Sequence, residues 1–315
     1  MAAPAPLQQS RPTIAVISIG EMGFGIAKLL IHHSYPVVTN LDGRSEVTKR
    51  RALEAGIKVL SLPKLVLQSD IVLSIVPPKD ALAMGQIITT TAKNVIPASS
   101  NKKIAYLDLN AISPRLASDI SEVVNSPNLV FVDGAILNFP PKPLEDGTWF
   151  KPVLVTSGPL SSAIRSKWVE ELIPILNIRH LNEKIGAASG LKMCFASIFK
   201  GHVAIALQAY ATAQNLGVLP ELRRELGEQF PVITEIFDAM MLGSQRKAYR
   251  WIKEMEEIGE TFNDEGGWNR DIFGGVADVF RVVAEREKEG LEKHVEVNGF
   301  VDEVCERLQR QKSKL

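Results

Sequence analysis

Cysteine is scarce: Cys194 and Cys305 are the two present in 315 residues. With no Cys-x-x-Cys pair and no His-rich spacing, a disulfide framework and a metal site are both unexpected, and a reducing compartment is favoured. Cys194 reads as a small core residue rather than a nucleophile. Net charge is missing as well, since 36 basic residues balance 36 acidic ones. No long-range field would therefore gather nucleic acid or an anionic membrane. No uncharged apolar run reaches the roughly 20 residues that span a bilayer. Residues 1–12 lack the apolar core of a secretory signal and are expected to be disordered. Internal repeats and low-complexity segments are absent. What remains is a chain with 45 % apolar residues, ample for real cores, and a length that suggests two domains.

The most informative stretch is residues 14–30, where a buried-strand pattern runs into Ser18-Ile-Gly20-Glu21-Met22-Gly23 and then into a helix. Gly20 would let the backbone approach a pyrophosphate with no Cβ in the way, and Gly23 would let the helix pack closely on the strand. The helix's first free N–H groups and the positive end of its dipole then face the negative charge. Ser18 stands where the usual Gly-x-Gly-x-x-Gly fingerprint begins, so position rather than the motif alone supports dinucleotide binding.

Short apolar runs alternate with amphipathic stretches from Ile14 to about His180. Strands are expected at Val37–Leu41, Ile57–Leu60, Ile71–Val76, Ile104–Leu107, Leu129–Ile136, Val153–Thr156 and Ile175–Ile178. Helices are expected at Ser45–Ala55, Pro114–Val124 and Leu160–Leu172. This is the α/β pattern of a doubly wound, Rossmann-type sheet of about eight strands, assigned to residues 1–182. Beyond Asn182 the strands stop. A long proline-free helix over Glu183–Leu216 opens an all-helical C-terminal domain, residues 183–315, punctuated by Pro220, Pro231, Gly243 and Gly266-Gly267.

Cofactor choice is expected at the end of the second strand, where an acidic residue selects NAD and an arginine accommodates the 2′-phosphate of NADP. Both are present, in Asp42-Gly43-Arg44-Ser45. The Arg44 guanidinium, the Ser45 hydroxyl and the mouth of the following helix are placed to share a phosphate, with Lys49 and Arg50 one turn on, so NADP is preferred over NAD.

Four blocks give the chain a family resemblance. Ile19-Gly20-Glu21-Met22-Gly23 resembles Leu-Gly-x-Met-Gly of the β-hydroxyacid dehydrogenase superfamily, which includes phosphogluconate and 3-hydroxyisobutyrate dehydrogenases. Ser74-Ile75-Val76-Pro77 is similar to its strand ending in Val-Pro beside the nicotinamide. Asp108-Leu109-Asn110-Ala111-Ile112-Ser113-Pro114 is similar to its Asp-x-Ser-Thr-x-x-Pro, and Gly186-Ala187-Ala188-Ser189-Gly190-Leu191-Lys192 to its Gly-x-Gly-x-x-x-Lys. The resemblance implies a Rossmann domain with a 6-phosphogluconate dehydrogenase-like helical domain, a homodimer, and Lys192 as general acid and base. Lys200 ranks second for that role. Asn110 would orient the substrate oxygen as the second catalytic residue. Gly20, Glu21, Met22, Gly23, Arg44, Ser45, Val76 and Pro77 would hold the cofactor.

Departures from the family point to an altered substrate pocket. Its Asp-Ala-Pro-Val-Ser-Gly-Gly, which holds the substrate carboxylate, is replaced by Asp133-Gly134-Ala135-Ile136-Leu137-Asn138-Phe139. A more apolar small-molecule pocket is expected, with Asn138 and Ala135 as its substrate-binding positions. The expected function is an NADP-dependent oxidoreductase moving hydride to or from a carbonyl or alcohol carbon. An imine reductase of the same architecture and a non-catalytic dinucleotide-binding module are the alternatives. The final Ser313-Lys314-Leu315 matches the tripeptide read by the peroxisomal import receptor, so a peroxisomal location is expected, otherwise a cytoplasmic one.

Overall fold

The computed structural model describes residues 11–313 and forms two compact units, the first running to Lys192 and the second from Met193. Of the C-terminal tripeptide, Lys314 and Leu315 lie outside the described residues. In chain order the first unit comprises β1 (Ile14–Ile17), α1 (Glu21–His32), β2 (Val37–Thr39), α2 (Glu46–Glu54), β3 (Lys58–Val59), α3 (Leu62–Gln68), β4 (Ile71–Ser74), α4 (Ala81–Val95), β5 (Ile104–Asp108), α5 (Pro114–Val123) and β6 (Leu129–Leu137). Then follow β7 (Lys142–Pro143), β8 (Trp149–Phe150), β9 (Val153–Ser157), α6 (Leu160–Ala163), α7 (Ser166–Leu176), β10 (Ile178–His180) and the start of α8 (Ala187–Leu216).

Eight strands form one sheet in the order β10-β9-β6-β5-β4-β1-β2-β3, while β7 and β8 make a separate hairpin. Pairing is parallel except between β6 and β9. The run β3-β2-β1-β4-β5-β6 is the doubly wound order, and its direction reverses between β1 and β4. Strands β1, β4 and β5 are buried along their whole length, as sheets covered on both faces require. Alternate residues feed opposite cores: Ile14 and Val16 join one cluster, Ala15 and Ile17 the other.

Two expected boundaries move. The helix foreseen over Leu160–Leu172 is broken at Ile164, whose backbone is extended, and resumes as α7. That helix runs on to Leu176 and ends at Asn177, held in the left-handed region at φ 51°, so the last strand begins at Ile178 rather than Ile175. Asparagine tolerates that conformation better than any β-branched residue. The division between units also falls later than Asn182, inside α8, for a reason that lies in β6.

The second unit contains the rest of α8 with α9 (Leu219–Gln229), α10 (Pro231–Ser244), α11 (Ala248–Asp264), α12 (Asp271–Lys288) and α13 (Val297–Lys312). By length and composition α8 is apolar enough to cross a membrane. Its Val203, Ala204, Leu207 and Tyr210 are nevertheless buried in the core of this unit. The face opposite them leaves Ile198 at 59 % and Ile205 at 56 % exposure. Edge-on ring pairs, Trp251 with Phe280 and Phe262 with Phe273, join α11 to α12. A charge cluster joins α12 to α13: Arg286 Nε and Arg307 Nε donate to Glu303 at 2.7 and 2.9 Å, and His294 Nε2 lies 2.7 Å from its Oε2. Burial alone would raise the Glu303 pKa, but these bonds outweigh it and hold the carboxyl down at about 2.

Candidate active site

The sheet reverses direction where β1 and β4 end, and this is where open α/β sheets take ligands. Gly20 caps α1, whose first internal bond runs from Phe24 N to Gly20 O at 2.8 Å. The N–H groups ahead of Phe24 therefore have no partner within the helix. A Cβ on Gly20 would meet nothing within 4 Å, so the turn opens onto space a phosphate can fill. Gly23 is different: a Cβ there would collide with the Ser18 carbonyl oxygen, so glycine is what allows α1 to sit against the end of β1. Glu21 is exposed in the first turn, and Met22 packs on the sheet core.

At the end of β2, Asn40 Nδ2 donates to Leu60 O at 2.9 Å and to Asp42 Oδ2 at 2.8 Å, fixing the turn that follows. Gly43 takes φ 71° and Arg44 N closes the turn on Leu41 O at 3.1 Å, a conformation that favours glycine at this position. Arg44 and Ser45 are exposed at the mouth of α2, where Ser45 Oγ accepts from Thr48 N at 3.3 Å as the helix cap. One residue here was not foreseen. Arg51, on α2, reaches back to donate to Ile19 O at 2.7 Å, immediately before the glycine turn.

Beyond β4, Val76 N donates to Asn110 Oδ1 at 2.7 Å, while Asn110 Nδ2 donates to Asp108 Oδ2 at 2.9 Å and Ser74 Oγ at 3.4 Å. Asn110 is 2 % exposed and both its donors are engaged. A substrate carbonyl oxygen needs a donor, so the expected role of Asn110 in orienting it is replaced by another. It clips the end of β5 to Val76 and so positions Val76-Pro77. Asp108 beside it is fully buried; burial, against the Asn110 donors, raises its pKa to about 7.

Asp133 on β6 organises the start of α8. Its carboxylate accepts from Ser157 Oγ at 2.9 Å, Ser189 Oγ at 2.6 Å, and the backbone N–H groups of Gly186 (2.9 Å), Ala188 (3.1 Å) and Ser189 (3.1 Å). Burial raises its pKa, and these donors oppose that rise by stabilising the ionised form. Here lies the reason the first turn of α8 belongs to the first unit. Three residues along the same strand, Ile136 O accepts from Lys192 Nζ at 2.8 Å. One strand thus grips the helix start twice, leaving Lys192 half-buried at the strand's end.

Ala135 does not serve as a substrate contact. It is completely buried, paired with Val155 and packed with Ala188, because the pleat points it toward the helix start. Asn138 is exposed with φ 91°, and its Oδ1 accepts from Phe139 N at 2.9 Å. Lys200 is paired with Glu254 and lies over the Trp251 ring, both in the second unit. Among the described residues no group of His, Cys, Asp and Glu is arranged to hold a metal ion. Asp133 left one signal in the sequence, a lone charge within the apolar run Leu129–Leu137. The Arg51 contact left none.

Residues 13–137 match the NAD binding domain of 6-phosphogluconate dehydrogenase, and residues 213–283 match a domain of unknown function, DUF1932. With the first of these domains the chain is an NAD(P)-binding oxidoreductase, and it is similar to the β-hydroxyacid dehydrogenase family. Within that family, rat mitochondrial 3-hydroxyisobutyrate dehydrogenase is 28 % identical over 128 residues, covering 40 % of this chain and 36 % of that protein. A Methanothermus fervidus protein, described as an uncharacterized 28.5 kDa protein in the 7S RNA 5′ region, is 29 % identical over 250 residues, 76 % of this chain and 90 % of its own. The fold is shared with an imine reductase from Myxococcus stipitatus solved with NADP+, at TM-score 0.57 and 19 % identity, covering 90 % of this chain and 96 % of that one.

Proposed function

We propose that this protein is an NADP-dependent oxidoreductase that interconverts a carbonyl and an alcohol on a small, rather apolar organic acid, with Lys192 as the general acid and base. The observation that carries the reading is the Lys192 ammonium, half-buried at the end of β6 and held 2.8 Å from Ile136 O. NADP, when bound, supplies or accepts the hydride. Lys192 has three N–H donors; with one on Ile136 O, two remain to polarise a substrate carbonyl and to deliver the proton that its oxygen needs as hydride reaches carbon. In the oxidative direction the neutral amine takes that proton back. The opening at Gly20 and the N-terminal N–H groups of α1 suit a pyrophosphate, Arg44 and Ser45 suit a 2′-phosphate, and Asn110 holds Val76-Pro77 in place. The exposed Ile198 and Ile205, two helical turns apart on α8, support a homodimer joined along that helix.

A second reading, an imine reductase, is favoured by the fold shared with the Myxococcus enzyme. NADPH oxidation against 2-keto acids, 3-keto acids, aldehydes, diketones and cyclic imines separates the two. Turnover of carbonyl acids is expected; activity confined to imines transfers the assignment to the second reading. Calorimetry showing no binding of either nicotinamide cofactor would overturn both and leave a non-catalytic module.

A further inference from the structure

Arg51 is held in an unusual way. Its Nη2 donates to Ile19 O at 2.7 Å, and its guanidinium carbon lies 5.1 Å from the centroid of the Phe24 ring, one turn into α1. The ring and the carbonyl hold the cation from two sides. The rest of the group is left over: among the described residues Nε, which is buried, has no hydrogen-bond partner, and no bond engages Nη1. A guanidinium presents five donors in a rigid fork, and a buried one without an acceptor is costly. The polypeptide around the glycine turn does not complete this cation. Lys28 adds to the positive charge, its Nζ lying 5.7 Å from the same ring.

Location decides which anion would complete it. Arg51 stands on the helix that follows β2, on the adenosine side of a doubly wound site, and touches the residue just before Gly20. The pyrophosphate is served by the N–H groups at the start of α1; the ribose 2′ position is served from the end of β2. From this we infer that Arg51 is a specificity residue for the 2′-phosphate of the cofactor, contacting it from the side of the glycine turn while Arg44 approaches from the β2–α2 turn. Resting on the NADP reading above, this adds a second, pre-oriented guanidinium to it. A phosphomonoester matches a fixed fork better than a hydroxyl does, so the gain falls on NADP and not on NAD.

The experiment is calorimetric titration of the full-length protein and its Arg51→Ala variant with NADPH, NADH, 2′,5′-ADP and 5′-ADP. In the variant, NADPH and 2′,5′-ADP should weaken ten- to a hundredfold, while NADH and 5′-ADP stay within about threefold. Equal weakening of all four would give Arg51 to the pyrophosphate or to the shape of the turn, and no weakening would remove it from the site; either result overturns the inference. Thermal melting of both proteins reports the fold. Arg51→Gln keeps the first three carbons of the stem but loses the charge and the fork, so it repeats the test should Arg51→Ala unfold. If the parent binds neither nicotinamide, the functional proposal itself fails; if it binds NADPH and the variants stay unselective, only this inference does.

Discussion

At the scale of single residues, Lys192 joins chemistry to placement. In the proposed mechanism its removal takes a proton donor from the substrate but touches nothing at the glycine turn or at Arg44. Lys192→Ala should therefore leave cofactor affinity within a few-fold of the parent while turnover falls by roughly 10²–10⁴. Lys192→Arg should restore little, because a guanidinium keeps its proton and has a different shape. Stopped-flow turnover on an established substrate, beside NADPH titration, checks this; near-parent turnover in Lys192→Ala would return the proton to a bound water. Asn110 and Ala135 show where sequence reasoning stops. Asn110 looked like a substrate donor because its partners Val76 and Ser74 lie far back in the chain, on a strand that only the folded sheet brings alongside. Ala135 shares a pleat face with Asp133, so the carboxylate that gathers the start of α8 carries Ala135 under the same helix.

Among the elements, β6 is the one on which the site depends. The Asp133 carboxylate collects five donors from α8's first turn, the residue before it and β9. Asp133→Asn replaces an acceptor-only group with an amide that presents two hydrogens to some of those donors. A buried donor left unsatisfied costs about 1–3 kcal/mol, so a loss of roughly 2–3 kcal/mol in urea-unfolding free energy is expected. Turnover should fall more than substrate KM rises, because the loosened helix start no longer holds Lys192 on Ile136 O. A variant with parent stability and parent turnover would show that the helix start holds itself. Most of the elements were legible in the sequence, since a parallel sheet covered on both sides writes each strand as an unbroken apolar run. The exceptions were local. Ile164 interrupts an apolar helical stretch that shows no glycine or proline there, and Asn177 ends α7 by backbone conformation alone.

For the whole molecule, a fully buried acid in the first unit and a half-buried one in the second pull the pH dependence of stability in opposite directions. Asp108 has a folded pKa near 7 against an ordinary value of 3.8, so the native protein holds a proton that the unfolded chain has lost between about pH 4 and 7. Its contribution is therefore favourable below about pH 4 and disappears as pH rises to about 7, by roughly 4 kcal/mol at most. Glu303, held at about 2 against 4.5, contributes stability above about pH 4.5 that is lost as pH falls toward 2. Urea titrations from pH 3 to pH 8 should show both slopes. Asp108→Asn should abolish the loss between pH 4 and 7 alone, and a variant profile parallel to the parent's would refute the assignment. Association belongs to this scale too. Ile198→Glu with Ile205→Glu alters residues already more than half exposed, so circular dichroism should not change while, in sedimentation, the proposed dimer gives way to a monomer; an unchanged sedimentation coefficient would place any self-association elsewhere.

The Asp133 cap also bears on how the chain is made. A ribosome completes β6 more than fifty residues before Ser189 exists, Asp133 and Ser189 being 56 positions apart. Through that interval the strand carries a carboxylate whose helical donors have not been synthesised, at elongation rates of about 5–20 residues per second. The sheet can gather early, but its last strand pair and this carboxylate settle only once translation has passed into the second unit. Nascent chains arrested with residue 182 exposed should thus be cut readily by protease near β6, and those arrested well beyond residue 200 should resist. The order of synthesis, rather than the unit boundary, would then set the moment at which the cofactor domain first becomes native.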